Sequence, residues 1–593
     1  MKNLGFEKTV IKDGFWKFYE DLNRNQIVRS IYERFKETGR FDALKCQWKE
    51  GDANKPHIFW DSDVAKWIEG VGYLLKKYPC EELELLVDEM VDDIAKNQRE
   101  DGYFNSYFLT VNPEGIYRNR GDHELHCTGH LVEAAISYHQ ATGKDKFLNC
   151  MLKNVDCIYR AFVEEKTAKF QTPGHEEIEL ALLKLYGYLG NEKYLELARF
   201  FINQRGKETL DTGITYGQDN LPVRELKEAL GHSVRAGYLY TAMAMLSKID
   251  EDRELKAACD RLFENIITKK MSITGGVGAE RVDEQFSYEY DLPNGDTYNE
   301  TYAAIALALF AGELQEAQAD SVYGDLIERI YFNNLLSGVS LSGDRFFYMN
   351  PLELDLKKYQ RSTFQAACER AKVFECSCCP PNILRMLATI PRYAYTVDGE
   401  NIYCNQFIPS ETKLSINGKD AKIALETNYP VDGELEFTYH GEPATLHIRI
   451  PSWCVEYKGK TEKGFAVYSV KDGDVIKISL PMKIHFMEAN PNVQDNAGRY
   501  AVMRGPIVYC MEGLDNGENL RDISILEQGT HRVVTESMIP APVLYMDAKR
   551  RKMTDELYRI KNDDREFFTA RLIPYFSFAN RQATDLLVWC MVK

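Results

Sequence analysis

The chain has 593 residues, 44% of them hydrophobic and 27% charged, with 73 basic against 90 acidic side chains and a formal net charge of −17. That length exceeds what one hydrophobic core organises and calls for about two to four domains. An acidic chain without a basic cluster argues against nucleic acid and anionic membrane as partners, and with no run of about 18 apolar residues there is no transmembrane helix.

The chain opens MKNLGFEKTVIKDGFWKFYEDLNRNQ, with charges every few positions. No signal-peptide core is present there. The expectation is a cytoplasmic protein whose 14 cysteines are reduced thiols, used for packing, metal or nucleophilic chemistry. DVAKWIEGVGYLLKKY (63–78) and ELELLVDEMVDDIAKNQ (82–98) place apolar residues at helical spacing. Three segments then repeat a start: GHLVEAAISYHQATG from Gly129, GHEEIELALLKLYGYLG from Gly174 and GHSVRAGYLYTAMAMLS from Gly231. A second amphipathic segment follows each one. NETYAAIALALFAG with YGDLIERIYFNNLLSG reads as a further hairpin, and the helix after Pro381 pairs with the N-terminal one. About six hairpins repeating every ~45–60 residues bury their faces by stacking on neighbours, and a closed ring, an (α/α)6 barrel, is the compact solution.

After about residue 396 the pattern changes. KLSINGKDAKIALETNYP, ELEFTYHGEPATLHIRIPSW and DVIKISLPMKIHFME alternate or run β-branched between Asn-Gly, Asp-Gly and Pro turns. The expected fold is thus multidomain α + β: a catalytic (α/α)6 barrel over 1–396, a β-sandwich over 397–485 and a C-terminal β-sandwich over 486–593.

Three groups of residues could carry chemistry. His130, His175 and His232 each follow a glycine at the start of a repeat helix. Alone, such a histidine more often satisfies a local carbonyl. Recurrence at equivalent positions points instead to one end of the ring, where three imidazoles meet sugar hydroxyls or a metal. The Gly-rich loop ITGGVGAERVDEQFSYEYDLPNGDTYNE (273–300) carries Glu280, Asp283, Glu284 and Glu289 and ends at Glu300. Loops over a barrel mouth hold catalytic groups, and the residues alone leave the four acids equivalent. FECSCCPPN (374–382) holds Cys376, Cys378 and Cys379. Small buried apolar residues are the plain reading. Pro380 and Pro381 suit a first helical turn, so Cys378 and Cys379 lie at a helix entry, where a thiolate is stabilised. With a carboxylate they could hold Zn²⁺ at about 2.3 Å per Zn–S bond.

From FWDSDVAKWIE through QREDGYFNSYF, HELHCTGHLVEAA, GHEEIELAL, GHSVRAGYLY, ITGGVGAE, FFYMNPLE, CSCCPPN and MRGPIVYCME to IPYFSFANR, the chain resembles glycoside hydrolase family 127, the β-L-arabinofuranosidase group. The match runs from Phe59 to Arg581. The resemblance implies a retaining exo-glycosidase that releases a terminal β-L-arabinofuranose-like sugar from a small oligosaccharide or glycoside. By motif position it implies Cys378 as nucleophile and Glu284 as acid/base. It further implies zinc on Glu300, Cys378 and Cys379, and sugar contacts at His130, His175, His232, Glu328 and Tyr348. A homodimer is one expectation for assembly. The chain departs from the family at one point: the pattern Glu-Thr-Cys, whose Cys is a zinc ligand, here reads Glu300-Thr301-Tyr302. A phenol is a poor zinc ligand beside a thiol. Either Cys376 or a water completes the site, or zinc binds weakly or not at all. Two other readings compete. One is an (α/α)6 enzyme of the unsaturated glucuronyl hydrolase type, with no thiol requirement. The other is a carbohydrate- or metal-binding protein that binds without turnover.

Overall fold

The computed structural model describes residues 1–207, 215–359, 368–373 and 377–593, so Cys376 lies outside the described residues. Six helices line a ring: Trp60–Lys77, Glu124–Thr142, Ile178–Leu189, Ser233–Ile249, Thr301–Ala317 and Cys379–Ala388. Each packs on the next and the last on the first, so the ring closes. Five outer partners, Glu81–Asn97, Asp145–Tyr159, Glu192–Gln204, Arg253–Lys269 and Ser321–Arg329, follow the first five inner helices. The N-terminal pair Gly14–Leu22 and Val28–Glu37 covers the sixth.

Sequence explains which helix is inside. The outer helix Glu81–Asn97 buries Leu83, Val87, Met90, Val91 and Ile94, a single stripe. The inner helix Ser233–Ile249 is buried almost all round, from Ser233 to Ser247. Inner helices also approach closely through small residues: a Cβ on Gly237 would sit 2.6 Å from the Cβ of Ala306. Because every inner helix is followed by a returning outer one, all six inner helices start at the same end.

The β region holds two bodies. In the first, Tyr395–Asp398, Asn401–Cys404, Ala444–Arg449 and Phe465–Val470 form one sheet, and Ser410–Ile416, Lys419–Glu426, Glu434–His440 and Val475–Ser479 the other. Strand Ser410–Ile416 buries every second residue, as a half-covered sheet requires. The N-terminus adds a strand to each sheet: Lys2–Asn3 pairs with Tyr395–Asp398, and Thr9–Ile11 with Ser410–Ile416. In the second body Tyr500–Arg504 pairs both with Trp589–Val592 and with Ile507–Glu512, so the sheet closes on itself as a barrel. Closure removes exposed strand edges. Strand Glu353–Leu354, from the helical region, extends this sheet by pairing with Leu586–Leu587. Among the described residues no helix is long and apolar enough to cross a membrane.

Candidate active site

The shared end of the inner helices encloses a cavity of about 430 Å³. Its wall includes Phe59 and Ser62 from the first inner helix and His123 and His126 from the second. His175 and His232 come from the next two starts. Glu300, Tyr302 and Cys378 come from the last two, and Glu284 and Tyr348 from the connecting loops.

The loop carrying Glu284 is held against His232 by a two-residue ladder: Gly231 lies opposite Phe286, and His232 opposite Gln285. Gly278 lets the loop close, since a Cβ there would lie 2.4 Å from the Ser233 hydroxyl. That hydroxyl donates to the Glu284 carbonyl at 3.0 Å. Asp283 and Glu284 both take left-handed backbone angles, φ 59° and 55°, the strained conformation that collects at functional sites.

The protonation pattern follows from geometry. The Val234 N–H donates to His232 Nδ1 at 3.2 Å, so Nδ1 is an acceptor and Nε2 carries the proton. Nε2 then donates to Glu284 Oε2 at 3.0 Å, and the Tyr298 hydroxyl donates to Oε1 at 2.7 Å. Burial alone would push the Glu284 carboxyl up. The His232 and Tyr298 bonds override burial and hold it below its ordinary value. Of the four acids left open, Glu284 lines the cavity, whereas Glu280 accepts from Val282 N–H and Glu289 pairs with Lys269 at 2.7 Å. Asp283 shares the cavity wall.

Glu300 caps the start of the Thr301 helix. The Cys379 thiol donates to its Oε1 at 3.5 Å, whereas Oε2 is buried with no hydrogen-bond partner. Burial first, then the charges of Glu284 and Cys378, push the Glu300 carboxyl well up. Cys379 is fully buried; burial, then Glu300 and Cys378, push its thiol up too. Cys378 is half-buried and faces the cavity. The Thr301 N–H donates to the Tyr348 carbonyl at 3.0 Å, which seats Tyr348 beside these groups.

A row of imidazoles crosses the site. Ring centroids are 4.6 Å apart for His126 and His130, 3.9 Å for His126 and His175, and 5.7 Å for His175 and His232. Burial lowers all four below the ordinary imidazole value, and takes His123 down to about 3. Neutral rings so close together do not repel, and His126 keeps a buried Nδ1 with no hydrogen-bond partner among the described residues. Sequence reasoning missed His123 and His126. Their signal was HELH in HELHCTGH (123–130), one helical turn before the Gly-His start. Tyr298 and Arg235 were missed as well.

Two expected sugar contacts lie elsewhere. Glu328 does not line the cavity. It is buried at the contact with the first β body, where Oε1 accepts from the Tyr429 hydroxyl at 2.6 Å and Arg449 Nη2 at 2.5 Å, and Oε2 from Trp453 Nε1 at 3.1 Å. Every acceptor is used, so none is left for a ligand. His130 stands behind the wall: its Nε2 bonds the Tyr302 hydroxyl at 3.1 Å, and it is Tyr302 that reaches the cavity.

Among the described residues, Glu69, His130 and Glu133 form the buried group whose donor atoms lie within 4.8 Å of one another, a spacing that could hold a metal ion. Glu300, Cys378 and Cys379 are not such a group. Cations already serve the first set: Arg385 Nη1 lies 2.9 Å from Glu69 and 3.3 Å from Glu133, and Lys184 pairs with Glu133. The Glu69–Glu133 layer is therefore an ion-pair network.

Comparison with known proteins agrees with this architecture. The β-L-arabinofuranosidase catalytic-domain profile of glycoside hydrolase family 127 matches residues 9–392, the middle-domain profile 401–482 and the C-terminal profile 484–591. A non-reducing end β-L-arabinofuranosidase of Bifidobacterium longum subsp. longum is 34% identical over 590 residues, covering 90% of this chain and 89% of that protein. The crystal structure of a family 127 β-L-arabinofuranosidase from Geobacillus stearothermophilus T6 is 37% identical, with a TM-score of 0.94 over 99% of this chain and 100% of that one. A second family 127 structure, a β-arabinofuranosidase, is 30% identical, with a TM-score of 0.92 over 100% of this chain and 98% of that one. With all three domain profiles matched and a relative 34% identical over 90% of the chain, the chain belongs to glycoside hydrolase family 127.

Proposed function

We propose that the protein is an exo-acting, retaining β-L-arabinofuranosidase in which Cys378 is the nucleophile and Glu284 the acid/base. The observation that carries this reading is the meeting of Glu284, oriented by His232 and Tyr298, with the half-buried thiol of Cys378 in one cavity at the end of the ring. A volume of about 430 Å³ suits one terminal sugar, near the lower bound of ligand pockets, roughly 300–1,000 Å³.

In the first step Cys378, as its thiolate, attacks the anomeric carbon in the form of the enzyme in which Glu284 carries a proton. The C–S bond forms, the glycosidic C–O bond breaks, and Glu284 gives its proton to the leaving oxygen. In the second step Glu284 takes a proton from water, the water oxygen attacks the same carbon, and the C–S bond breaks to return the thiolate. Two displacements leave the anomeric configuration retained. His126 and His175 face the sugar hydroxyls, while His232, bonded to Val234 N–H and Glu284, orients the acid. Tyr348 closes the wall beside Cys378.

The buried, unpartnered Oε2 of Glu300 beside two thiols has the donor chemistry of a zinc site. Glu300, Cys378 and Cys379 are the residues that would hold the ion, which when bound would keep sulfur deprotonated and stabilise its charge. Tyr302 is not a fourth ligand, because its hydroxyl is committed to His130.

The test is turnover of p-nitrophenyl β-L-arabinofuranoside with the product anomer read by NMR, and mass spectrometry of Glu284→Ala with an activated substrate. The expected results are retained β-L-arabinose and a pentosyl adduct on the Cys378 peptide. An inverted product, or an adduct on a carboxylate, would discard the mechanism.

A further inference from the structure

The hydroxyl of Tyr302 faces away from the cavity's acids and into the wall. Its partner is His130 Nε2 at 3.1 Å, and its ring packs edge-on to Tyr238 at 5.4 Å. Tyr238 in turn accepts from Arg385. On the far side of His130, Nδ1 lies 3.2 Å from Glu177 Oε1 and 3.7 Å from Glu133 Oε2. Among the described residues Nδ1 makes no aligned hydrogen bond to either oxygen, so the imidazole is tied by the bond between Nε2 and the Tyr302 hydroxyl, whose direction follows from the tautomer. The Lys66 ammonium lies 5.1 Å over the ring. Tyr302 is 1% exposed and His130 0%, yet only the tyrosine borders the cavity. The phenol is therefore held at its hydroxyl, its edge and its face.

We propose that Tyr302 is the specificity-determining floor of the sugar pocket, and that His130, backed by Glu177, is a positioning residue that acts through Tyr302 rather than on the sugar. This rests on the arabinofuranosidase reading. A fixed ring at the floor sets the pocket's shape, and the two ring forms of L-arabinose are isomers that differ in shape: C5 is an exocyclic hydroxymethyl in the furanoside and a ring member in the pyranoside. A methylene misplaced against a pocket wall is worth about 10–200-fold in discrimination.

The experiment compares kcat/KM for the p-nitrophenyl furanoside and pyranoside of L-arabinose across variants. Tyr302→Phe keeps the ring but loses its bond to His130, and should lower the furanoside preference about as much as His130→Ala does and less than Tyr302→Ala. Tyr302→Ala should lower the preference at least tenfold, mainly through KM for the pyranoside. His130→Ala should lower it in the wild-type background and add nothing in the Tyr302→Ala background, and His130→Gln should restore it. An unchanged preference in Tyr302→Ala overturns the floor. An equal effect of His130→Ala in both backgrounds overturns the positioning role, because His130 would then touch the sugar itself. If the wild type cleaves neither glycoside, it is the arabinofuranosidase reading that falls. The floor is then read by the Tm shift that L-arabinose and D-galactose produce: Tyr302→Ala should gain a response to the hexose that the wild type lacks, and identical responses overturn it.

Discussion

Two buried glutamates, Glu328 and Glu300, sit at opposite extremes of satisfaction. Glu328 is tied by Tyr429, Arg449 and Trp453, with the Arg449 guanidinium pushed up by its own buried pairing, burial itself acting the other way. Glu300 has one thiol on Oε1 and nothing on Oε2. From motif position Glu328 was expected at the sugar and Glu300 at zinc. A carboxylate whose acceptors are all filled by protein donors is a structural element that locks one body to another. A carboxylate left short of partners is held for something that arrives, since an unpaired buried polar group is costly unless it is used. Satisfaction, more than burial, separates the two.

The contrast can be broken by substitution. The largest effect is expected at the proposed nucleophile: Cys378→Ser should cut kcat on the order of 10⁴–10⁶-fold with Tm unchanged. Steady-state kinetics beside a melting curve checks this. Next, Glu284→Gln should lower kcat/KM by about 10²–10⁴-fold on a natural aglycone and far less on an activated one. Equal losses on both would remove its acid role.

Glu328→Ala should act on the other side of the comparison. Leaving the buried Arg449 with Asp325 as its remaining carboxylate is expected to cost up to about 3–5 kcal/mol of stability, seen as a lower denaturant midpoint. The activity of the molecules that remain folded should be retained. Glu300→Gln should do the reverse: stability within about 1 kcal/mol of wild type, because no good partner is lost, but less bound zinc by elemental analysis and slower turnover. If Glu300→Gln destabilises as much as Glu328→Ala, the distinction fails.

The smallest effect concerns pH. The His232 N–H bond favours the Glu284 carboxylate and lowers its pKa. Removing that donor in His232→Ala lets the pKa rise, so the protonated acid survives to higher pH. The descending limb of kcat/KM should move to higher pH in the variant. A limb that stays in place would separate it from Glu284.

Much of the fold was readable because the local pattern and the global arrangement agree. The Gly-His starts at Gly129, Gly174 and Gly231 mark inner helices, and a returning amphipathic segment after each sends every inner helix the same way. The pairing of Lys2–Asn3 and Thr9–Ile11 with strands some 390–410 positions on was not readable, since two or three residues carry no period. The closing of the C-terminal sheet through Tyr500–Arg504 was hidden likewise, because pairing partners are not encoded along the strand.

At the site, the sequence by itself determined which residue types gather: glycine-histidine starts, a Gly-rich loop with its acids, and thiols before two prolines. These are local signals, set by helix entry and turn chemistry. Only the tertiary structure decided which of them touch the cavity. His130 and Tyr302 are 172 positions apart, yet one hydrogen bond puts the tyrosine in front and the histidine behind. Glu328 left the site because Arg449, 121 positions away on a β strand, takes its charge. Glu284, one of four acids in its loop, meets His232 through the ladder beside it. Each of those choices depends on side chains brought together by closing the ring and docking the β bodies on it, and no spacing along the chain records such a contact.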